Sequence, residues 1–193
     1  MGKIVGKNYL DANSYYVKVV LLATAQTLVR QYHYAGGGAN TATFAHGLFN
    51  RGDSVNCLGI AWWIPPTKTA AEYNYPQDWK SVLSLSRLVV VPGAPINAAS
   101  FLLAGSIKLI KADGRWHCLV TYADEWQGHT GQIYRATNWE YAGLTRPERT
   151  YVDANGVMGG RKRGPKTLTN AQMLERGYTY VGSFSRHRFR KII

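Results

Sequence analysis

Two side chains in the middle of the chain have the types and spacing to move protons together. Asp124 closes the apolar alternation of Trp116, Cys118, Val120 and Tyr122, which reads as a strand. Its carboxylate therefore falls at a strand end, where sheets flanked by helices tend to place reactive groups. Tyr134 lies on the short helix expected over Gly131 to Thr137, near enough for both to face one cleft. Acyl transfer uses such a pair: a base takes a proton as an amine attacks, and an acid protonates the departing group. The plainer readings are a turn or helix-cap carboxylate for Asp124 and an amphipathic core tyrosine for Tyr134. His33 and Tyr34 form a second pair, at a helix end just before Ala35-Gly36-Gly37-Gly38. That imidazole could serve as a base or a metal ligand and the phenol could stack on a flat substrate; alternatively His33 is only a favourable charge at a helix C-terminus. Arg87, next to Ser86, interrupts the apolar run of Leu85 and Leu88 and needs a partner, either a carboxylate such as Asp124 or a phosphate.

The chain around these residues is basic and aromatic. Among 193 residues, 23 Lys and Arg stand against 11 Asp and Glu, and 46% are hydrophobic, which suits one compact domain with a real core and a polyanionic partner, nucleic acid first. The excess is C-terminal. Arg161, Lys162, Arg163 and Lys166 form one cluster, and Arg186, Arg188, Arg190 and Lys191 form another on what reads as a final strand. Several phosphate contacts from these clusters would make affinity steeply salt-dependent, although such runs are also found as merely solvated faces. Cys57 and Cys118 stand apart in apolar stretches, so they read as reduced core thiols of a cytoplasmic protein. No stretch approaches a membrane span, and the N-terminus is too polar for a signal peptide.

The elements that must position the chemistry follow from periodicity. Tyr15 to Val20 reads as a strand, and Leu21, Ala25, Leu28 and Tyr32 follow at helical spacing. Thr43 to Phe49 and Val55 to Ile64 flank Asn50-Arg51-Gly52-Asp53 as a hairpin, ended by Pro65-Pro66 and a long loop. Trp62, Trp63, Tyr73, Tyr75 and Trp79, in or beside that loop, are candidates for a stacking platform. Leu83 to Val91 is β-rich and stops at Pro92-Gly93-Ala94-Pro95, and a helical face of Ala98, Leu102, Gly105 and Leu109 follows with Asn97 as its expected N-cap. Later strands fall near Trp139 to Ala142, Arg149 to Val152, Tyr178 to Phe184 and His187 to Ile193, with a short helix near Asn170 to Arg176. The order predicts an α/β (α+β) fold, a mixed sheet flanked by helices, in one domain. It is also the order of the GCN5-related N-acetyltransferases.

The segment LSRLVVVPGAPINAASFLLAGSIKLI and the following WHCLVTYADEWQGHTGQIYRATNWEYAGL resemble the phage Mom family of DNA adenine-modification proteins, a divergent branch of that acetyltransferase fold. Weaker echoes are VRQYHYAGG and the closing SRHRF. The resemblance implies a mostly antiparallel central sheet with a basic C-terminal β region. It implies transfer of a carbamoylmethyl group to N6 of adenine in double-stranded DNA, which shields phage DNA from host restriction. The target adenine, paired inside the duplex, would be flipped out. A homodimer is compatible with it.

In such a fold the turn after the fourth strand and the following helix N-terminus hold the pyrophosphate of acetyl-CoA. The matching positions are Val91, Gly93, Asn97, Ala98, Ala99 and Ser100, with Asn138 as a further cofactor contact. The turn departs from the usual glycine-rich phosphate loop, and Pro92 and Pro95 supply no donor. Tyr134 matches the tyrosine that protonates the departing thiolate, with Asp124, His33 and Tyr34 as the other candidate catalytic residues. Ser86, Arg87, Arg161, Lys162, Arg163, Lys166, Arg186 and Arg188 are the candidate DNA contacts. Because a carbamoylmethyl group is joined through its methylene carbon, simple thioester aminolysis does not give it. A redox-active metal such as iron, held by His33 and Asp124, is one route to that bond. Two other classes fit parts of the pattern: an acetyltransferase acting on a small amine or a protein, and a non-catalytic DNA-binding protein.

Overall fold

A computed structural model describes residues 8–163 and 166–193; of Lys162 and Arg163 only the backbone belongs to that set. A seven-stranded sheet forms the body, in the order β1-β2-β3-β4-β5-β11-β6. Its strands are β1 Tyr15–Val19, β2 Phe44–Asn50, β3 Gly59–Ile64, β4 Val82–Val90, β5 Cys118–Asp124, β6 Glu140–Leu144 and β11 Arg186–Ile192. Neighbours run antiparallel except β4 and β5, which are parallel. This is the mixed sheet that the element order predicts, mostly antiparallel as the resemblance implies.

Alternation along β3 explains how two helical layers are held. Ile60 and Trp62 face one side, where they pack with Ala25 and Val29 of α1 (Leu22–Tyr32); Ala61 and Trp63 face the other, where they pack with Leu102, Leu103 and Ile110 of α3 (Ala98–Asp113). Both tryptophans are wholly buried and so are core, not the expected stacking platform. Their indole N–H groups are satisfied inside: Trp62 donates to the Thr41 carbonyl at 3.1 Å and Trp63 to Ser106 Oγ at 2.7 Å. Ser106 Oγ also meets His46 Nδ1 at 2.6 Å, and burial pushes the His46 pKa down to about 4.

The segment after Pro66 is more ordered than its composition predicts. Thr67 caps a helix, α2 (Lys68–Asn74), and a 3₁₀ turn over Pro76–Ser81 leads into β4. Tyr75 and Trp79 pack there against Ala71, Val82, Cys118 and Val120, while Tyr73 is exposed.

Between β6 and β11, residues 145–163 and 166–185 fold on a cluster of their own. A two-stranded sheet pairs β7 (Glu148–Val152) with β10 (Thr179–Phe184), a short pair joins β8 (Lys162–Arg163) and β9 (Lys166–Thr167), and α5 (Asn170–Glu175) carries a Thr169–Gln172 capping box. Tyr151, Leu168 and Met173 are buried together with Tyr178 against them. Cys57 is half-buried and Cys118 buried, both as free thiols. No helix among the described residues is long and apolar enough to cross a membrane.

Candidate active site

The two parallel strands part company halfway along. Their pairing runs from Val82–Cys118 to Leu85–Thr121 and stops, although β4 continues to Val90 and β5 to Asp124. At the split, β4 carries a bulge: Trp62 of β3 opposes Arg87 and Trp63 opposes Leu85, so Ser86 has no opposite residue. One extra residue reverses the alternation. Leu83 and Leu85 precede the bulge on the α3 face, Leu88 and Val90 regain it afterwards, and Val89 goes to the α1 face.

The wedge so opened is a cavity of about 370 Å³. Its walls are β4 from Leu85 to Val90, β5 from Thr121 to Ala123, Ala99 of α3, His33 and Tyr34 after α1, and residues 128–134 leading into α4 (Gln132–Ala136). Gly131 starts that helix with φ +75°, and a Cβ there would sit 2.2 Å from the Phe189 ring, so only glycine lets α4 approach β11 this closely. That approach seats Tyr134 between Trp139 and Phe189, with ring centroids at 5.6 and 5.2 Å. Burial raises the Tyr134 pKa, with the Thr121 hydroxyl acting the other way. The phenol thus holds its proton at neutral pH and faces a cavity where it can give it up.

His33 is in the wall, stacked on Tyr34 at 4.3 Å. Its Nδ1 accepts the Ala35 N–H at 3.1 Å. Burial first, and Arg87 and His129 after it, push its pKa down to about 4. A neutral ring with Nδ1 so engaged carries its proton on Nε2 and presents a donor, which argues against the general-base reading and against a charge at the helix dipole. Tyr34 has a raised pKa, through burial and then through Asp124, with Arg87 and Arg186 opposing.

Arg87 is in the wall without the carboxylate partner that was one of its two expected fates. Its Nε donates to the Gly37 carbonyl at 2.9 Å and its Nη1 to the Ser86 carbonyl at 2.7 Å. Burial lowers its pKa, as expected for a cation with no counter-ion. No carboxylate pairs with it among the described residues. Asp124 is not in the wall; it follows the wall residue Ala123 and its carboxylate caps the 3₁₀ turn Glu125–Gln127, accepting the Trp126 N–H at 3.2 Å. The plainer reading of Asp124 is therefore realised, at the rim of the cavity.

At the β4–α3 turn, Gly93 has φ +82° with open space about it, and Asn97 sits at the cap position with φ +72° but makes no side-chain cap. The Ala98 N–H is taken by the Pro95 carbonyl and that of Val91 by Leu58, so Val91 has no donor to offer. The N–H groups of Ala99 and Ser100 have no acceptor among the described residues, and the Ser100 hydroxyl folds back on the Asn97 carbonyl at 2.9 Å. Two free donors at the start of a four-turn helix, beside a cavity that Ala99 lines, fit an anionic group of a coenzyme. Asn138 does not join them. It turns at φ +60° after α4, outside the cavity walls, and its carbonyl accepts from Lys191 at 2.9 Å.

The cations of the final strand all have partners in the chain, with the Arg186 and Arg190 ion pairs at the exposed surface. Arg186 pairs with Glu148. Arg188 donates to the Ala142 carbonyl at 2.8 Å and to the Tyr73 hydroxyl at 2.9 Å, with its guanidinium 3.9 Å over that ring. Arg190 holds Glu140, and Lys191 holds the Thr137 and Asn138 carbonyls. Arg161 is likewise spent on the Leu168 carbonyl, at 2.8 and 3.1 Å. Arg161, Arg186 and Arg188, three of the candidate DNA contacts, thus each make contacts within the protein as well. Lys166 is exposed, and the side chains of Lys162 and Arg163 lie outside the described residues.

His129 is a residue that sequence reasoning left without a role. It lines the cavity and meets Tyr34 edge-on at 5.4 Å. The signal was its place between Gly128 and Gly131, both with positive φ, in a turn that leads directly into the helix of Tyr134. No group of three or more His, Cys, Asp or Glu able to hold a metal is formed among the described residues, so the ligand set proposed for iron at His33 and Asp124 is not supported.

Solved structures that share this architecture include several acetyltransferases. An N-acetyltransferase from Staphylococcus aureus Mu50 superposes with a TM-score of 0.55 at 13% identity, covering 92% of this chain and 98% of that one. A putative acetyltransferase from Salmonella typhimurium, solved with its cofactor acetyl-CoA, gives 0.55 at 6% identity over 92% and 93%. The ribosomal-protein-S18-alanine N-acetyltransferase of Escherichia coli gives 0.55 at 11% identity over 93% and 94%. The fold is that of the GCN5-related N-acetyltransferases. In sequence, the methylcarbamoylase mom of Escherichia phage Mu is 24% identical over 172 residues, 84% of this chain and 68% of that protein. The match to the Mom protein family runs over residues 14–192, nearly the whole length, and the chain belongs to that family.

Proposed function

We propose that this protein modifies adenine in double-stranded DNA at N6, adding a carbamoylmethyl group that protects phage DNA from restriction in the host cytoplasm. The observation that carries the reading is the cavity at the split between β4 and β5, with Tyr134 in its wall, in a chain of the Mom family. Acetyl-CoA, whose pyrophosphate suits the turn, would supply the two-carbon unit; an amine nitrogen displacing the thiolate would make the amide, and joining the methyl carbon to N6 would take a two-electron oxidant as co-reactant. Ala99 and Ser100 would hold its pyrophosphate through their free N–H groups, and the edge of β4 beyond Leu85, which has no strand partner on the β5 side, would receive its extended arm.

Around the reacting atoms the residues divide by protonation. Tyr134 is kept neutral by burial and can protonate a departing thiolate. His33 presents Nε2–H and Arg87 a buried cation, two donors suited to an oxyanion or carbonyl. Tyr34 and His129 offer ring surfaces to a flipped base, and Asp124 stands at the rim within electrostatic reach of Tyr34.

The test is mass spectrometry of nucleosides from plasmid DNA after expression in a bacterial host. A deoxyadenosine heavier by about 57 mass units marks the carbamoylmethyl product, whereas about 42 marks plain acetylation. Tyr134→Phe should lower the yield by roughly 10²-fold, the usual scale for losing a general acid. Unmodified DNA from folded wild-type protein would refute the reading and direct attention to a small amine as acceptor.

A further inference from the structure

The cations of β11 are engaged, which raises the question of where a duplex would be held. We infer that the module between β6 and β11, residues 145–163 and 166–185, is the surface that docks duplex DNA beside the cavity mouth; this rests on the DNA reading above. Three observations support it.

The first is position. The module springs from the ends of β6 and β11 at which Arg186 opposes Asp124 of β5. It is anchored on the turn that Asp124 caps, since Phe184 packs on Trp126 with ring centroids at 4.9 Å and the Ser185 N–H donates to Glu125 Oε2 at 2.8 Å. Residues 128–134, directly after that turn, are cavity wall, and Arg186 acts electrostatically on Tyr34. The anchored end of the module therefore lies next to the opening.

The second is free charge. Arg146, Arg149, Lys166 and Arg176 are exposed, and none has a carbonyl or carboxylate partner among the described residues, in contrast to the four cations of β11. The described acids of the module are Glu148, which holds Arg186, Asp153, which accepts the Asn155 and Val157 N–H groups at 2.9 Å, and the exposed Glu175, so the basic side chains outnumber them. A duplex lined with phosphates is the partner that such an unbalanced surface fits.

The third is shape. β7 and β10 form a two-stranded ribbon detached from the main sheet, and a ribbon of this width enters a major groove. Arg149 lies opposite Ser183, whose hydroxyl meets the Tyr180 hydroxyl at 3.1 Å, and Tyr180 is 45% exposed. Cross-strand partners share a face, so the exposed Arg149 and Ser183 form an adjacent pair of phosphate donors beside the buried Tyr151, which shares that face.

The test measures binding of a labelled duplex as salt is raised, with the full chain carrying Arg146→Gln, Arg149→Gln, Lys166→Gln and Arg176→Gln together. Each lost phosphate contact should flatten the plot of log affinity against log salt by about 0.9, so a drop of about 3.6 is expected if all four residues touch phosphate, with coenzyme A affinity unchanged as the sign of an intact body. Lys108→Gln with Lys111→Gln, which removes exposed charge from α3, should leave the slope within about 1 of wild type. Wild-type slope in the fourfold variant, with DNA still bound and modified, overturns the docking surface and leaves the DNA reading standing. Wild-type protein that neither binds nor modifies DNA overturns both.

Discussion

Tyr134 and His33 show how one cavity assigns opposite behaviour to two titratable groups. Burial holds the phenol protonated and the imidazole neutral, so the site offers proton donors before any substrate arrives. His33 and His46 also tie stability to pH. Each has a folded-state pKa of about 4 against an ordinary value of 6.5. Above pH 6.5 both forms are neutral and nothing is lost; between 6.5 and 4 the unfolded chain binds protons that the folded one refuses, so stability falls with falling pH. The midpoint of thermal unfolding should drop through that window. His46→Asn, whose amide oxygen can still accept from Ser106, should shallow the drop, and an unchanged profile would contradict a buried neutral His46.

At the scale of elements, the site depends on one split and one close approach. β4 and β5 share only Val82–Leu85 and Cys118–Thr121 because the Ser86 bulge turns β4 away. α4 then reaches the opening because Gly131 lies against Phe189. Gly131→Ala would add a Cβ inside that ring and force an L-residue into left-handed backbone, costing about 2–4 kcal/mol. Chemical denaturation should show that loss, and intrinsic fluorescence should report the disturbed packing of Trp139 on Tyr134. The strands and helices themselves were legible from period and punctuation, as with Pro92-Gly93-Ala94-Pro95 before α3. Missed was α2, whose alanines and lone Tyr73 give too few apolar positions for a helical face, so that Thr67 was its main signal.

For the whole molecule, the C-terminal charge divides into two populations. β11 lies between β5 and β6 and its arginines reach carbonyls and acids, while Arg146, Arg149, Lys166 and Arg176 of the module before it are exposed with no such partner among the described residues. Arg188→Gln should therefore cost stability, about 2 kcal/mol from the lost carbonyl bonds and the stacking on Tyr73, yet leave the salt dependence of DNA binding as it is. Paired denaturation and binding titrations separate the two, and a flattened salt slope would return Arg188 to the DNA surface.

What the sequence determined alone was local and periodic. Alternation fixed β3 between two helical layers, helical spacing fixed α1 and α3, and the strings around Arg87 and Tyr134 pointed to the Mom family and its acetyltransferase fold. The tertiary structure decided which polar groups meet. It brought Arg87 to the Gly37 carbonyl, His129 to Tyr34, and Arg188 to Tyr73, and it turned Asp124 onto Trp126 at the rim. Apolar period is written in neighbours three or four residues apart, whereas the partner of an arginine is set by sheet order and by a single-residue bulge. Neither leaves a periodic trace in the chain.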